Sequence, residues 1–306
     1  MMPQRQGSFH LFRLAGIDLY LHWSWFLVAA FEISARSKSY SSIFWNVLEY
    51  VALFLIVALH EFGHSLACRQ VGGIANRIVL WPLGGVAFVD PPPRPGAVLW
   101  SIAAGPLVNV VLAPCLTIAL LAAQSLASAG APGDAYSLLR SLWFMNLGLL
   151  LFNLLPVYPL DGGQILRALL WFAVGRARSL MIASYIGLVG VAALVALALF
   201  TRSVWGGVIA LFIVLNCWGG LRQARLLFRL EKAPRHDDFA CPFCHAAPPR
   251  GAFWSCSQCR KPFDTFETRA TCPHCGTQFA TTRCVNCGHL HPLSEWETSL
   301  ASPPGL

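Results

Sequence analysis

Residues 46–68, NVLEYVALFLIVALHEFGHSLAC, form an apolar run that turns polar near its end. A helix rises about 1.5 Å per residue, so this run is long enough to cross the ~30 Å hydrocarbon core of a bilayer. His60 and His64 stand four apart and share a helix face. Two imidazoles at that spacing can bind one zinc ion, and Glu61 between them can take a proton from water at the metal. Composition alone predicts about 0.006 occurrences of H-E-x-x-H in such a chain. Two histidines and a glutamate are also costly at the end of an apolar helix unless they serve a polar function. His60 and His64 are therefore candidate ligands, and Glu61 is the candidate general base.

Outward from this run, the 306 residues are 56% hydrophobic and 12% charged, with mean hydropathy +0.57. An ordinary soluble domain carries about 25% charge. The deficit is confined to residues 1–221, which hold 12 Lys/Arg and 7 Asp/Glu, whereas 222–306 hold 10 and 7 in far fewer residues. The first part reads as membrane and the second as water-soluble. Neither block is basic enough to argue for nucleic acid, and contact with anionic lipid accounts for the positive balance. No cleavage site follows the first apolar segment, which is expected to remain as an anchor.

Apolar stretches of spanning length occur at about 17–34, 46–68, 97–124, 140–173, 180–200 and 204–221. The expectation is an all-α polytopic protein of about six transmembrane helices. A small β-hairpin is expected over 74–89, turning at Pro-Leu-Gly-Gly, between the second and third spans. Six spans place both termini on one side. Twelve of the Lys/Arg residues fall on that side and four (Arg36, Lys38, Arg140, Arg202) on the other, so both termini are expected in the cytoplasm. Asp18, Glu32 and Glu49 read as interfacial caps, and His22 as a packed or interfacial residue. Cys68, Cys115 and Cys217 read as ordinary apolar-face cysteines.

A catalytic zinc commonly takes three protein ligands. The fourth span is interrupted by Pro156, Pro159, Gly162 and Gly163, and broken backbone at membrane depth survives only where it lines protein or a polar cavity. Asp161 lies at that interruption. Its span runs in the same direction as the second, so Asp161 reaches the depth of His60 and His64 and is the candidate third ligand. Gly105-Pro106 and Gly162-Gly163 suit either helix movement or close packing.

HEFGH at 60–64, LWPLGGVAFV at 80–89, AGPLVN at 104–109 and NLLPVYPLDGG at 153–163 together resemble the site-2 protease family of intramembrane zinc metalloproteases over about residues 10–221. The layout is most similar to the branch containing the sporulation protease of Gram-positive spore formers. The resemblance implies His60, His64 and Asp161 as zinc ligands and Glu61 as general base. It also implies that Asn153 holds substrate backbone or the developing oxyanion. The implied activity is hydrolysis of membrane-anchored protein substrates near the cytoplasmic face of a bacterial cytoplasmic membrane. A non-hydrolytic zinc-dependent scaffold or a metal transporter is the alternative. That branch often carries a CBS domain, and this chain has a cysteine-rich segment instead, so nucleotide regulation does not carry over.

Eight of the 11 cysteines form four C-x-x-C pairs: Cys241/Cys244, Cys256/Cys259, Cys272/Cys275 and Cys284/Cys287. In a reducing compartment such pairs are metal sites rather than disulfides, and eight thiolates make two closed tetrahedral zinc sites. The expected inventory is one catalytic and two structural zinc ions. Pairing the middle two knuckles and the outer two, or pairing them in sequence, are both open. The expected domains are a metalloprotease domain at 1–221, a linker at 222–240, a double zinc ribbon at 241–298 and a tail at 299–306. The ribbon reads as a module for a cytoplasmic protein partner.

Overall fold

A computed structural model describes residues 7–36, 39–81, 84–126 and 133–297. The chain divides into two compact units, Met1–Leu221 and Arg222–Leu306. In the first, β1 (Ser8–Leu14) and β2 (Ile17–His22) form a hairpin through Ala15 and Gly16, whose φ angles are 49° and 75°. Positive φ at both central residues matches a two-residue turn to the twist of its strands. β3 (Ile74–Trp81) lies parallel to β2 and antiparallel to β4 (Gly84–Asp90), giving the order β1-β2-β3-β4.

Among the described residues seven α-helices accompany this sheet: α1 (Ser24–Ala35), α2 (Ile43–Gln70), α3 (Pro95–Leu126), α4 (Asp134–Leu154), α5 (Asp161–Val174), α6 (Arg176–Phe200) and α7 (Val204–Lys232). Among the described residues five of them, α2, α3, α4, α6 and α7, are long and apolar enough to cross a membrane. Ile118, Val189, Leu199 and Phe200 are each at least 68% accessible. Apolar side chains in such numbers on helix exteriors match a lipid surround rather than water.

Two expectations need correction. The segment 17–34 is not one membrane helix, and the first unit is not all-α. Ile17, Leu19 and Leu21 alternate with Asp18, Tyr20 and His22, a period of two that makes β2 a strand. Ile17 and Leu19 are fully buried in one cluster with Val57, Ala58 and Phe62 of α2 and with Ile78 and Leu80 of β3. α1 is only 12 residues, about 18 Å, too short to cross alone. Strand and short helix together follow α2: β2 lies in the cluster around Phe62, the Tyr50 hydroxyl donates to the Trp25 carbonyl (2.7 Å), and Arg36 pairs with Glu49 (3.1 Å).

Glu49 is likewise a packed ion-pair residue, 4% accessible, rather than an interfacial cap. Asp18 meets His10 and Arg13 on β1, and His22 stacks on Trp81. The Glu32 side chain, Lys38, Pro82 and Leu83 of the hairpin turn, and the tail at 299–306 lie outside the described residues.

The fourth apolar stretch divides into α4 and α5, with residues 155–160 and both prolines between them. α5 packs on α3 and α6, which carries its first residue, Asp161, into the helix bundle.

The second unit has little regular structure. Two hairpins, β5 (Trp254–Ser255) with β6 (Pro262–Phe263) and β7 (Thr282–Arg283) with β8 (Leu290–His291), carry two of the four C-x-x-C knuckles. All four knuckles close alike. The amide four residues after the first cysteine (His245, Arg260, Gly276, Gly288) donates to that cysteine's carbonyl at 2.8–2.9 Å, and each of these residues has positive φ. Phe239, Phe266 and Trp296 pack with Cys241 and Cys284, while Phe263 packs with Cys256 and Cys272.

Candidate active site and metal centres

On α2, the four-residue spacing of the histidines brings His60 Nε2 to 3.1 Å from His64 Nε2. Asp161 Oδ2, from the first turn of α5, lies 3.0 Å from the first and 3.3 Å from the second. Tetrahedral zinc with ligands at ~2.0–2.1 Å sets neighbouring ligand atoms about 3.3 Å apart, so the triangle has the right edge. The far sides of the rings settle the tautomers. His64 Nδ1 is 2.9 Å from the carbonyl of Ser101, which can only accept, so Nδ1 carries the proton. His60 Nδ1 is 2.6 Å from Asn109 Oδ1. That amide's orientation is fixed because Asn109 Nδ2 donates to Asn146 Oδ1 and Asn146 Nδ2 donates to the Asn109 carbonyl. Both Nε2 atoms therefore present lone pairs to a carboxylate oxygen. Three converging lone pairs repel one another unless a cation lies among them, so the donor set fits zinc.

Glu61 is buried, and its Oε2 accepts the Ala87 amide of β4 at 3.0 Å. The sheet packs on α2 through the Ile17–Phe62–Leu80 cluster, which holds β4, an edge strand, beside the residue between the two histidines. Asn153 is half-buried in the last turn of α4, and its side-chain amide donates to no other described residue.

In the second unit the cysteines gather as Cys241, Cys244, Cys284 and Cys287, and as Cys256, Cys259, Cys272 and Cys275. The outer knuckles are thus together and the middle ones together. Sulfur pairs stand 3.5–3.7 Å apart. That is far beyond the ~2.05 Å of a disulfide and near the ~3.8 Å edge of a zinc tetrahedron with Zn–S of ~2.3 Å.

Known proteins are similar to this chain. The model for Peptidase family M50 matches residues 49–130 and 122–197, a stretch containing His60, Glu61, His64, Asn109, Asn146 and Asp161. The site-2 protease structure from Methanocaldococcus jannaschii is similar at a TM-score of 0.50 and 32% identity, covering 70% of this chain and 95% of that one. The chain belongs to the site-2 protease family, peptidase family M50. A zinc metalloprotease of the same archaeon is 40% identical over 182 residues, 59% of this chain and 50% of that protein. Stage IV sporulation protein FB of Bacillus subtilis is 35% identical over 121 residues, 38% of each. The chain spans between 38% and 62% of the length of the curated relatives it matches.

In this site-2 protease family member, Asn109, Asn146 and the Ser101 carbonyl orient the histidines. The sequence reading assigns none of them a role, although Asn109 closes the AGPLVN motif and an asparagine inside the apolar run AGPLVNVVLAP is itself a costly residue that signals a polar partner. Asn109→Ala removes the acceptor for His60 Nδ1–H and is expected to weaken metal affinity about 10–100-fold, as read by competition with a fluorescent zinc chelator. Affinity within twofold of the parent would show that His60 needs no such support.

Gly105 of α3 faces the His64 ring: a Cβ there would stand 2.3 Å from His64 Nε2 and Cε1. Close packing thus explains Gly105 without any helix movement. Gly105→Ala is expected to displace the imidazole and to lower zinc occupancy measured by mass spectrometry. Full occupancy with unchanged hydrolysis would contradict the contact.

Proposed function

We propose that this chain is an intramembrane zinc metalloprotease that hydrolyses peptide bonds of membrane-anchored proteins near the cytoplasmic face. The observation that carries the reading is the triangle of lone pairs from His60, His64 and Asp161 with the carboxylate of Glu61 beside it on an edge strand. Bound zinc would supply Lewis acidity, polarising the scissile carbonyl and easing ionisation of water. Glu61 would accept the proton of the attacking water and return it to the leaving nitrogen. Asn153 would donate to substrate backbone or to the developing oxyanion, a role typically worth about 10²-fold or more.

β4 ends its sheet, so a substrate in extended form could add to it by main-chain pairing and pass Glu61, whose carboxylate sits on Ala87. A helix already satisfies its own amides, so substrate must unwind first, and a Gly/Pro-poor substrate helix should resist cleavage. The cytoplasmic orientation rests on the Lys/Arg distribution. One catalytic and two structural zinc ions, the latter held by the eight cysteines, complete the proposed inventory.

Of the alternatives, a metal transporter lacks support in the first unit, while a zinc-holding scaffold is separated from a protease by the absence of hydrolysis. A transporter needs ligands distributed across the bilayer, and the described residues there offer one group of His/Cys/Asp/Glu. Reconstitution with a membrane-anchored reporter decides between them. Fragments that disappear on chelation and return with zinc are expected, while zinc flux without fragments would establish the transporter.

A further inference from the structure

The second unit is basic overall, yet one open cavity in it has the opposite bias. This cavity, about 680 Å³, is walled by four carboxylates (Asp238, Asp264, Glu267, Glu297) and two guanidiniums, Arg250 and Arg269. Both guanidiniums already have acidic partners: Arg250 lies 3.3 Å from Asp237 and Arg269 lies 3.0 Å from Glu297.

Asp264 is committed inward. It accepts the amides of Gly251 (2.6 Å), Phe266 (3.0 Å) and Glu267 (3.3 Å), and meets His236 Nε2 at 3.0 Å. Burial alone would raise its carboxyl pKa. The Gly251 amide, His236 and the other two amides together outweigh burial and hold it below the usual range. Asp238 and Glu267 are exposed and have no cationic partner among the described residues, so they set the sign of the cavity. Phe239 and Phe266 lie buried beneath it in the core of the unit, and the His236 ring stands over them at 5.9 and 5.6 Å.

We propose that this cavity holds a Lys/Arg-bearing extended peptide, the basic cytoplasmic flank of a membrane-anchored substrate. The inference rests on the protease reading for the identity of the peptide, because segments flanking a span on the cytoplasmic side carry an excess of Lys/Arg. The cavity itself argues for the chemistry. Its volume lies within the ~300–1,000 Å³ of ligand pockets. Two uncompensated, exposed carboxylates at its wall, Asp238 and Glu267, receive the cationic heads. Acidic peptides and nucleic acid meet repulsion from the same carboxylates.

The test is fluorescence anisotropy of a short lysine-containing peptide and of its glutamate counterpart, using full-length Glu61→Gln protein in neutral phosphatidylcholine nanodiscs. The lysine peptide is expected to bind, to weaken as salt is raised, and to bind about tenfold more weakly to the Asp238→Asn/Glu267→Gln variant. The glutamate peptide is expected not to bind. Equal affinity in the double variant overturns the proposal. Preference for the glutamate peptide does too, since it would assign the cavity to anions through Arg250 and Arg269. If the double variant melts early, Asp238→Asn alone serves, and unchanged binding there counts against the proposal. Binding is measured on protein lacking the proposed base. Its loss with hydrolysis intact in the parent refutes this inference alone, and absent hydrolysis with binding intact refutes the protease reading alone.

Discussion

Replacing Glu61 by glutamine is expected to lower hydrolysis of a membrane-anchored reporter by about 10²–10⁴-fold, the usual contribution of a positioned general base, while zinc stays bound. The change is close to isosteric. The amide oxygen of glutamine can still accept the Ala87 N–H that Oε2 accepts at 3.0 Å, so the side chain keeps its place against β4. Zinc content is expected to hold because the proposed ligand atoms belong to His60, His64 and Asp161. What is lost is the ability to take a proton. Asp161→Ala separates the two roles, since it removes one corner of the triangle and should lower both metal content and rate. The decisive measurement pairs fragment yield with metal content on the same sample. Hydrolysis by Glu61→Gln within tenfold of the parent, at equal zinc, would remove Glu61 as the base.

The parts of this site legible in the sequence are those whose chemistry is written in side-chain spacing. His60 and His64 four apart fix a shared helix face whatever surrounds them. Asp161 is legible because Pro156 and Pro159 before it and Gly162 and Gly163 after it break an apolar run where a carboxylate is otherwise expensive. Four C-x-x-C pairs announce eight thiolates, but spacing alone leaves two pairings open, and only the fold groups the outer knuckles and the middle ones.

What the sequence conceals depends on contacts distant along the chain. The Ser101 carbonyl that orients His64 is backbone, and no residue type marks it. Asn109 and Asn146 reveal their purpose only when α3 and α4 lie side by side. The strand at 17–22 was hidden for a different reason. Its two-residue period sits inside a longer stretch of high mean hydropathy, so the average suggested a span while the alternation in IDLYLH specified one buried face. Pairing with β3, more than 50 residues away, turns that face onto α2.

The same dependence on metal predicts the largest stability effect in the second unit. Cys272→Ser is expected to abolish one zinc site and to unfold the segment around it. The core there is one small cluster of Cys256, Phe263 and Cys272, with Phe279 stacked on Phe263 at 5.7 Å. A fully buried Phe contributes about 1.5–3 kcal/mol, whereas apparent zinc-binding energies of small structural sites are about 10–16 kcal/mol. The hairpin of β5 and β6, only two residues per strand, cannot stand without the knuckles it joins. Hydrogen exchange should show the amides of 254–279 losing protection, with metal content falling by one zinc per chain. Cys217→Ser is the matched control. Cys217 is also buried, but its Sγ lies 3.0 Å from the Tyr158 carbonyl and belongs to no cysteine group, so a serine hydroxyl can replace its donor and metal content should not change. If Cys272→Ser kept both its zinc and its protected amides, the four sulfurs around Cys256 would be a packing motif rather than a metal site, and the stability of this segment would have to come from contacts other than zinc.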